Sequence, residues 1–131
     1  MFLNINLESS EPIYIQLQHQ IIEGIAKGRI SPGDPLPSVR SLASDIGINL
    51  HTVNKVYQLL KQDGYILIHR QKGVVINPEG PPKADEEYKQ SLRANIRPLI
   101  AASICRGIEE EEFLQICKEL FNEFKEEGEK K

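Results

Sequence analysis

Cysteine is scarce in this sequence, which has two in 131 residues, together with one methionine and no tryptophan. Two thiols, Cys105 and Cys117, are too few for a disulfide-held scaffold, and neither belongs to a metal-ligand cluster. They are expected to be small buried thiols. No run of about 18 apolar residues occurs, which excludes a membrane-spanning helix. The opening MFLNINLESSEP has no basic segment leading into an apolar one, so no secretory signal is expected and the cytoplasm is the expected compartment. There is no glycine-rich phosphate loop and no catalytic constellation. An enzyme reading would rest on isolated His, Cys and Glu side chains, and neither a cofactor nor a metal is expected. His19, His51 and His69 lie too far apart along the chain to suggest a shared metal. What remains, 40% hydrophobic and 27% charged, is a soluble globular chain with room for one ordinary domain, or a small one with an accessory element.

The net charge of -3 averages over two unlike parts. Residues 1–77 hold seven Lys/Arg against six Asp/Glu, and residues 78–131 hold nine against thirteen. The acidity therefore belongs to the tail. Between positions 38 and 73, Arg40, Lys55, Lys61, Arg70 and Lys72 face only Asp45 and Asp63. That modest positive balance sits where phosphate contacts would be needed.

Leu17, Ile21, Ile22 and Ile25 recur at helical spacing and predict a first helix from about Pro12 to Lys27, stopped by Gly28. RISPGDPLP, with three prolines and a glycine, reads as an ordered loop. Ser38 suits the N-cap of a short second helix with Val39, Leu42, Ala43 and Ile46 inward, ended by Gly47. A third helix is expected from Asn49 or Leu50. It buries Val53, Val56, Tyr57 and Leu60 and leaves His51, Thr52, Asn54, Lys55 and Gln58 outside. After Gly64 the period changes to two, and Tyr65 to Ile68 with Val74 to Ile76 predict a β-hairpin with a basic tip, His69 to Gly73. Pro78, Gly80, Pro81 and Pro82 mark a boundary.

A second unit follows. One helix is expected over 84–106, with Leu92, Ile96, Leu99, Ile100 and Ile104 inward and a kink at Pro98. Another opens on Glu109 to Glu112, where the helix dipole favours carboxylates, and its apolar face is Phe113, Leu114, Cys117, Leu120, Phe121 and Phe124. The closing KEEGEKK, with nothing apolar to bury, is expected to be frayed. The expected organisation is a winged domain over 1–77, a linker over 78–83 and a helical tail over 84–131. The fold class is mainly α with a small β-hairpin, a winged helix-turn-helix followed by a two-helix C-terminal dimerisation element.

The third helix has the chemistry of a groove reader. One face is anchored in a core while the other presents short polar groups to base edges whose donor and acceptor patterns differ. Asn54 and Gln58 suit bidentate contacts to adenine, His51 and Thr52 can meet bases or phosphates, and Lys55 can neutralise phosphate. A three-helix core with a hairpin also serves as a protein-binding module. Single residues have plainer alternatives. Arg40 could pair with Asp45 as a surface contact, Thr52 could cap the third helix, and Gly73 could serve the turn alone.

The order of residues carries a further signal. GRISPGDPLPSVRSLASDIGINLHTVNKVYQLLKQDGYI, followed by KGVVI, resembles the DNA-binding domain of the GntR family of bacterial regulators over residues 10–77. The short two-helix tail is similar to that of its YtrA subfamily. The resemblance implies double-stranded DNA as partner, with Arg40 contacting it from the second helix, aided by Ser38. It places further contacts at Asn49, His51, Thr52 and Lys55 of the third helix and at Arg70, Gln71, Lys72 and Gly73 of the wing. Leu50 departs from the pattern, since many relatives carry arginine there, or proline in the short subfamily. Autoregulation and repression are implied by the resemblance alone.

One winged domain reads too few base pairs to be selective, so a pair reading an inverted repeat is expected. Two amphipathic helices within 54 residues can bury both apolar faces only against each other and a partner, which predicts a symmetric homodimer. The alternative is a monomer whose tail folds back on the winged domain. The larger effector domains of the family do not fit here, so regulation is expected through dimer geometry, with an unidentified small-molecule effector between the tail helices.

Overall fold

The computed structural model describes residues 3–129, as seven elements in the order three helices, a two-stranded hairpin and two helices. The chain divides into two compact units, Met1–Pro82 and Lys83–Lys131.

In the first unit, α1 (Ile13–Ala26) begins directly after Pro12, whose carbonyl accepts from the Ile15 and Gln16 N–H groups. Leu17 and Ile21 are fully buried on its inner face. Ile30 lies close over Gly24, where a Cβ would stand 2.9 Å from Ile30 Cδ1 and would make that side chain shift. Gln16 is buried and uses its whole carboxamide on the preceding segment. Its Oε1 accepts from the Asn6 N–H at 2.8 Å, and its Nε2 donates to the carbonyls of Asn6 and Glu11 at 2.9 Å each. Gln20 repeats the device on Asn4. Two glutamines one helical turn apart thus strap residues 4–11 along α1.

The proline-rich loop is ordered, and more tightly than expected. Gly33 and Leu36 donate to the Ile76 and Val74 carbonyls, Asp34 accepts from the Ile76 N–H, and Pro35 bridges Val75. The loop therefore pairs with the outer edge of the hairpin. Proline, lacking an N–H, is tolerated at such an edge.

The second helix, α2 (Val39–Ile46), is capped by Ser38, whose Oγ accepts from the Ser41 N–H at 3.0 Å, and ends at Gly47 with φ of 68°. The third, α3 (Leu50–Gln62), is capped by Asn49 rather than Thr52, with Asn49 Oδ1 accepting from the His51 N–H at 2.7 Å. Val53, Val56, Tyr57 and Leu60 are all fully buried, as their spacing requires. Burial pushes the Tyr57 phenol up to about 12, since the phenolate would lose its hydration. Its hydroxyl donates to the Pro37 carbonyl at 2.8 Å and so ties α3 to the entry of α2.

The strands β1 (Ile66–His69) and β2 (Gly73–Ile76) pair antiparallel in a register that sets Ile66 opposite Ile76, Ile68 opposite Val74 and His69 opposite Gly73. Ile66, Val74 and Ile76 turn inward to meet Leu17, Ile21, Val53 and Leu60 in one core. Asn77 closes the base of the hairpin through its Nδ2, which donates to the Gly64 and Gly80 carbonyls.

The second unit has a different character. Helix α4 (Glu86–Cys105) is capped by Asp85, whose Oδ1 accepts from the Tyr88 N–H at 2.8 Å, and it carries Pro98 within its length. Helix α5 (Glu110–Glu129) opens on Glu110, Glu111 and Glu112. It remains helical to Glu129, so the expected fraying of KEEGEKK is corrected over Lys125–Glu129, where Lys and Glu are good helix formers. The last two lysines lie outside the described residues.

Two further expectations are corrected in this unit. Of the residues expected to face inward on α4, only Ile96 is half-buried, while Leu92, Leu99, Ile100 and Ile104 are exposed. Cys105 is exposed and Cys117 half-buried, rather than both buried. The reason is geometric: within one chain, each helix of a pair can cover only one side of the other. Among the described residues no helix is long and apolar enough to cross a membrane.

Candidate nucleic-acid interface

Helices α2 and α3 meet at their N-terminal ends around an open depression of about 470 Å³, lined by Ser38, Val39, Arg40, Leu50, His51 and Asn54. Ser38, Arg40, His51 and Asn54, all singled out from the sequence, are therefore brought together. The local folding explains why. The Ser38 cap fixes the first turn of α2, so Arg40 leaves the helix at its second residue, exposed to solvent. The Asn49 cap starts α3 so that His51 and Asn54, three residues apart, share its outer face. Arg40 makes no ion pair with Asp45 among the described residues, which sets aside that alternative and leaves the guanidinium available.

Asn49, Thr52 and Lys55 do not line this depression. Asn49 commits its Oδ1 to the cap and is otherwise exposed, and Thr52 is half-buried. Lys55 is exposed on the outer face of α3, with its Nζ 3.8 Å from the centre of the Tyr14 ring. Tyr14 was not singled out by the sequence reading. Its half-buried position on α1 is legible, but the pairing with Lys55 depends on how α1 crosses α3.

At the wing, His69, Arg70, Gln71 and Lys72 surround a shallower hollow of about 280 Å³, and all four are exposed. Gly73 closes the turn with φ of 74°, a conformation that a side chain rarely adopts, so the turn requires glycine in any case. A Cβ there would meet nothing within 4 Å, and the space above the backbone is open. The arrangement gives a polar, hydrogen-bonding helix face headed by an arginine, with two further cations on the hairpin tip. Such a surface can set donors and acceptors against base edges while cations meet phosphates.

Comparison with known proteins places this architecture. The sequence pattern of the bacterial regulatory proteins of the gntR family matches residues 13–76, which run from α1 to the end of the wing. The HTH-type transcriptional repressor YtrA of Bacillus subtilis is 35% identical over 118 residues, covering 90% of this chain and 91% of that protein. Among solved structures, one described as a transcriptional antiterminator from Listeria monocytogenes superposes with a TM-score of 0.86 at 28% identity, covering 95% of this chain and 92% of the other. YtrA from Sulfolobus acidocaldarius, a GntR-family transcription factor, is 37% identical with a TM-score of 0.55, over 92% of this chain and 97% of that one. These relatives are transcriptional regulators and not enzymes.

Proposed function

The chain belongs to the GntR family of bacterial regulatory proteins, whose members are DNA-binding transcription regulators, and on that premise we propose that it is a repressor acting as a homodimer on an inverted-repeat operator. The observation that carries the dimer is the tail. No described side chain of α4 or α5 is buried, and Leu92, Leu99, Ile104, Leu120 and Phe121 stand open to solvent. Exposed apolar side chains in this number call for a cover, and a second copy related by a twofold axis supplies the same residues. Two tails joined in this way carry two winged units, each presenting α3 to the major groove.

Within this reading, contacts to DNA come from Ser38 and Arg40 of α2, from Asn49, His51, Thr52 and Lys55 of α3, and from Arg70, Gln71, Lys72 and Gly73 of the wing. Repression is supported by the name of the B. subtilis relative, and the cytoplasm by the location of bacterial DNA. An effector site is supported by the groove of about 840 Å³ between α4 and α5, lined by Ile96, Ile100, Phe113, Leu114 and Cys117 among others. Its size suits a small, largely apolar molecule.

Two measurements test the proposal together. Sedimentation is expected to give the mass of two chains, and a mass of one chain at every concentration would defeat the dimer. Binding to duplexes selected from the protein's own genome is expected to weaken steeply with salt, because each neutralised phosphate releases counterions. Arg40→Ala should weaken operator binding about tenfold and leave the dimer mass unchanged, since a good contact at a base edge is worth about 1–3 kcal/mol. Unchanged affinity at physiological salt would remove Arg40 from the interface.

A further inference from the structure

The polar face of the winged unit carries one side chain of the wrong chemistry for phosphate. Leu50, the first residue of α3, is 37% exposed and belongs neither to the buried core nor to the half-buried apolar residues packed around it. Single exposed leucines are ordinary on protein surfaces, and this one is informative only through its neighbours. Among the described residues, the other large apolar side chains exposed on this unit, Leu7 and Ile68, do not line the depression. Leu50 lines the depression shared by Ser38, Arg40, His51 and Asn54, and among the described residues the half-buried Val39 offers its only other aliphatic surface.

A helical side chain leans toward the N-terminus of its helix, so Leu50 projects from the leading end of α3, the end that enters a major groove first. The edges of DNA bases in that groove are almost wholly donors and acceptors, and the apolar exception is the C5-methyl group of thymine. We propose that Leu50, with Val39 beside it, is a specificity-determining contact that packs on the methyl of one thymine in each half-site. The inference rests on the proposal that this face enters the duplex, and it deepens that reading by naming the base. Arg40, His51 and Asn54, which surround the apolar spot, then fix the register of that thymine through its neighbours.

A methyl group removed from water is worth about fourfold in affinity, so a dimer with two such contacts gains about fifteenfold. Burying a methyl releases no counterion, and this preference is insensitive to salt while total affinity falls.

The test uses the full chain and an operator recovered from a random duplex pool. Each thymine of the half-site is replaced in turn by deoxyuridine, which deletes the methyl and leaves the pairing edge intact. Wild-type protein is expected to lose about fourfold at one thymine position when a single half-site is changed. The ratio should be equal at low and high salt. Leu50→Ala is expected to bind the thymine and uracil duplexes equally at that position, and Leu50→Met, which keeps an aliphatic tip, to retain most of the preference. The thermal midpoint of each variant reports folding independently, and Leu50 lies outside the core. The inference is overturned if no thymine shows the loss, or if a folded Leu50→Ala protein keeps it in full. Recovery of no bound duplex at all would instead overturn the proposed function, a distinct result.

Discussion

Every buried apolar side chain among the described residues falls between Leu17 and Ile76, whereas α4 and α5, forty residues of helix, bury none. The contrast is not one of composition, since both regions supply leucine and isoleucine at helical spacing. It is one of closure. The winged unit wraps three helices, a hairpin and a paired loop around a single centre, so its inward residues are shielded from all sides. The tail has two helices and no third layer, and its apolar positions meet a partner or remain wet. Identical patterns in sequence thus mean a finished core in one place and an unfinished surface in the other.

The sharpest way to break that contrast is to truncate a leucine on each side. Leu60 is fully buried and Leu120 is half exposed. Leu60→Ala is expected to lower stability by about 2–5 kcal/mol, because a cavity adds to the lost transfer energy. That cost should be the same at every protein concentration. Leu120→Ala should act through assembly, with a smaller fall in the unfolding midpoint that grows as the protein is diluted. Urea unfolding of both variants at two widely separated concentrations distinguishes the cases. A Leu120→Ala effect independent of concentration would mean that the tail is completed within one chain.

A second, smaller effect probes how the winged unit closes. Tyr57 spans the core and donates its proton to the Pro37 carbonyl, and its pKa of about 12 lies above the ordinary 10.0. The folded state therefore holds the phenolic proton where the unfolded chain has lost it. Its contribution is complete below pH 10 and declines as pH rises through the window from 10 to 12, by about 3 kcal/mol in all. Tyr57→Phe should show a shallower fall in thermal midpoint across that window than the wild type. At neutral pH it should cost about 1 kcal/mol for the carbonyl left without its donor. Parallel pH profiles for the two proteins would contradict the assignment.

Much of the winged unit was legible because punctuation and period agree. Gly28, Gly47 and Gly64 bound the helices, Ser38 caps the second, and the change from helical to alternating spacing after Gly64 announces the wing, whereas the cap of the third helix proved to be Asn49 and not Thr52. Hidden from the sequence were the contacts that depend on crossing angles. Nothing in RISPGDPLP states that Pro35 will pair with Val75, or that Ile30 will lie over Gly24. The double use of Gln16 as a strap reads, in sequence, as a polar residue on the wrong face of α1. In the tail the helices were legible and the burial was not, because amphipathic spacing specifies that a face must be covered without saying by what. The site follows the same rule. Ser38, Arg40 and His51 converge because their caps are local, while the partner of Lys55 is set by packing between distant helices.

That partner gives the smallest expected effect. Lys55 holds its ammonium 3.8 Å from the centre of the Tyr14 ring, a cation–π contact worth about 0.5–1 kcal/mol at an exposed site. A free lysine must give up rotamer freedom to meet a phosphate, and a ring that already restrains the chain lowers that cost on binding. Tyr14→Leu should therefore weaken operator binding about two- to fivefold, while the salt slope stays unchanged because the charge is still present. Tyr14→Phe keeps the ring face and should bind as the wild type does. If the ring instead sequestered Lys55 from DNA, Tyr14→Leu would bind more tightly. The winged unit would then hold part of its charge back from the groove, and its outer face would be no more finished in the free protein than the tail is.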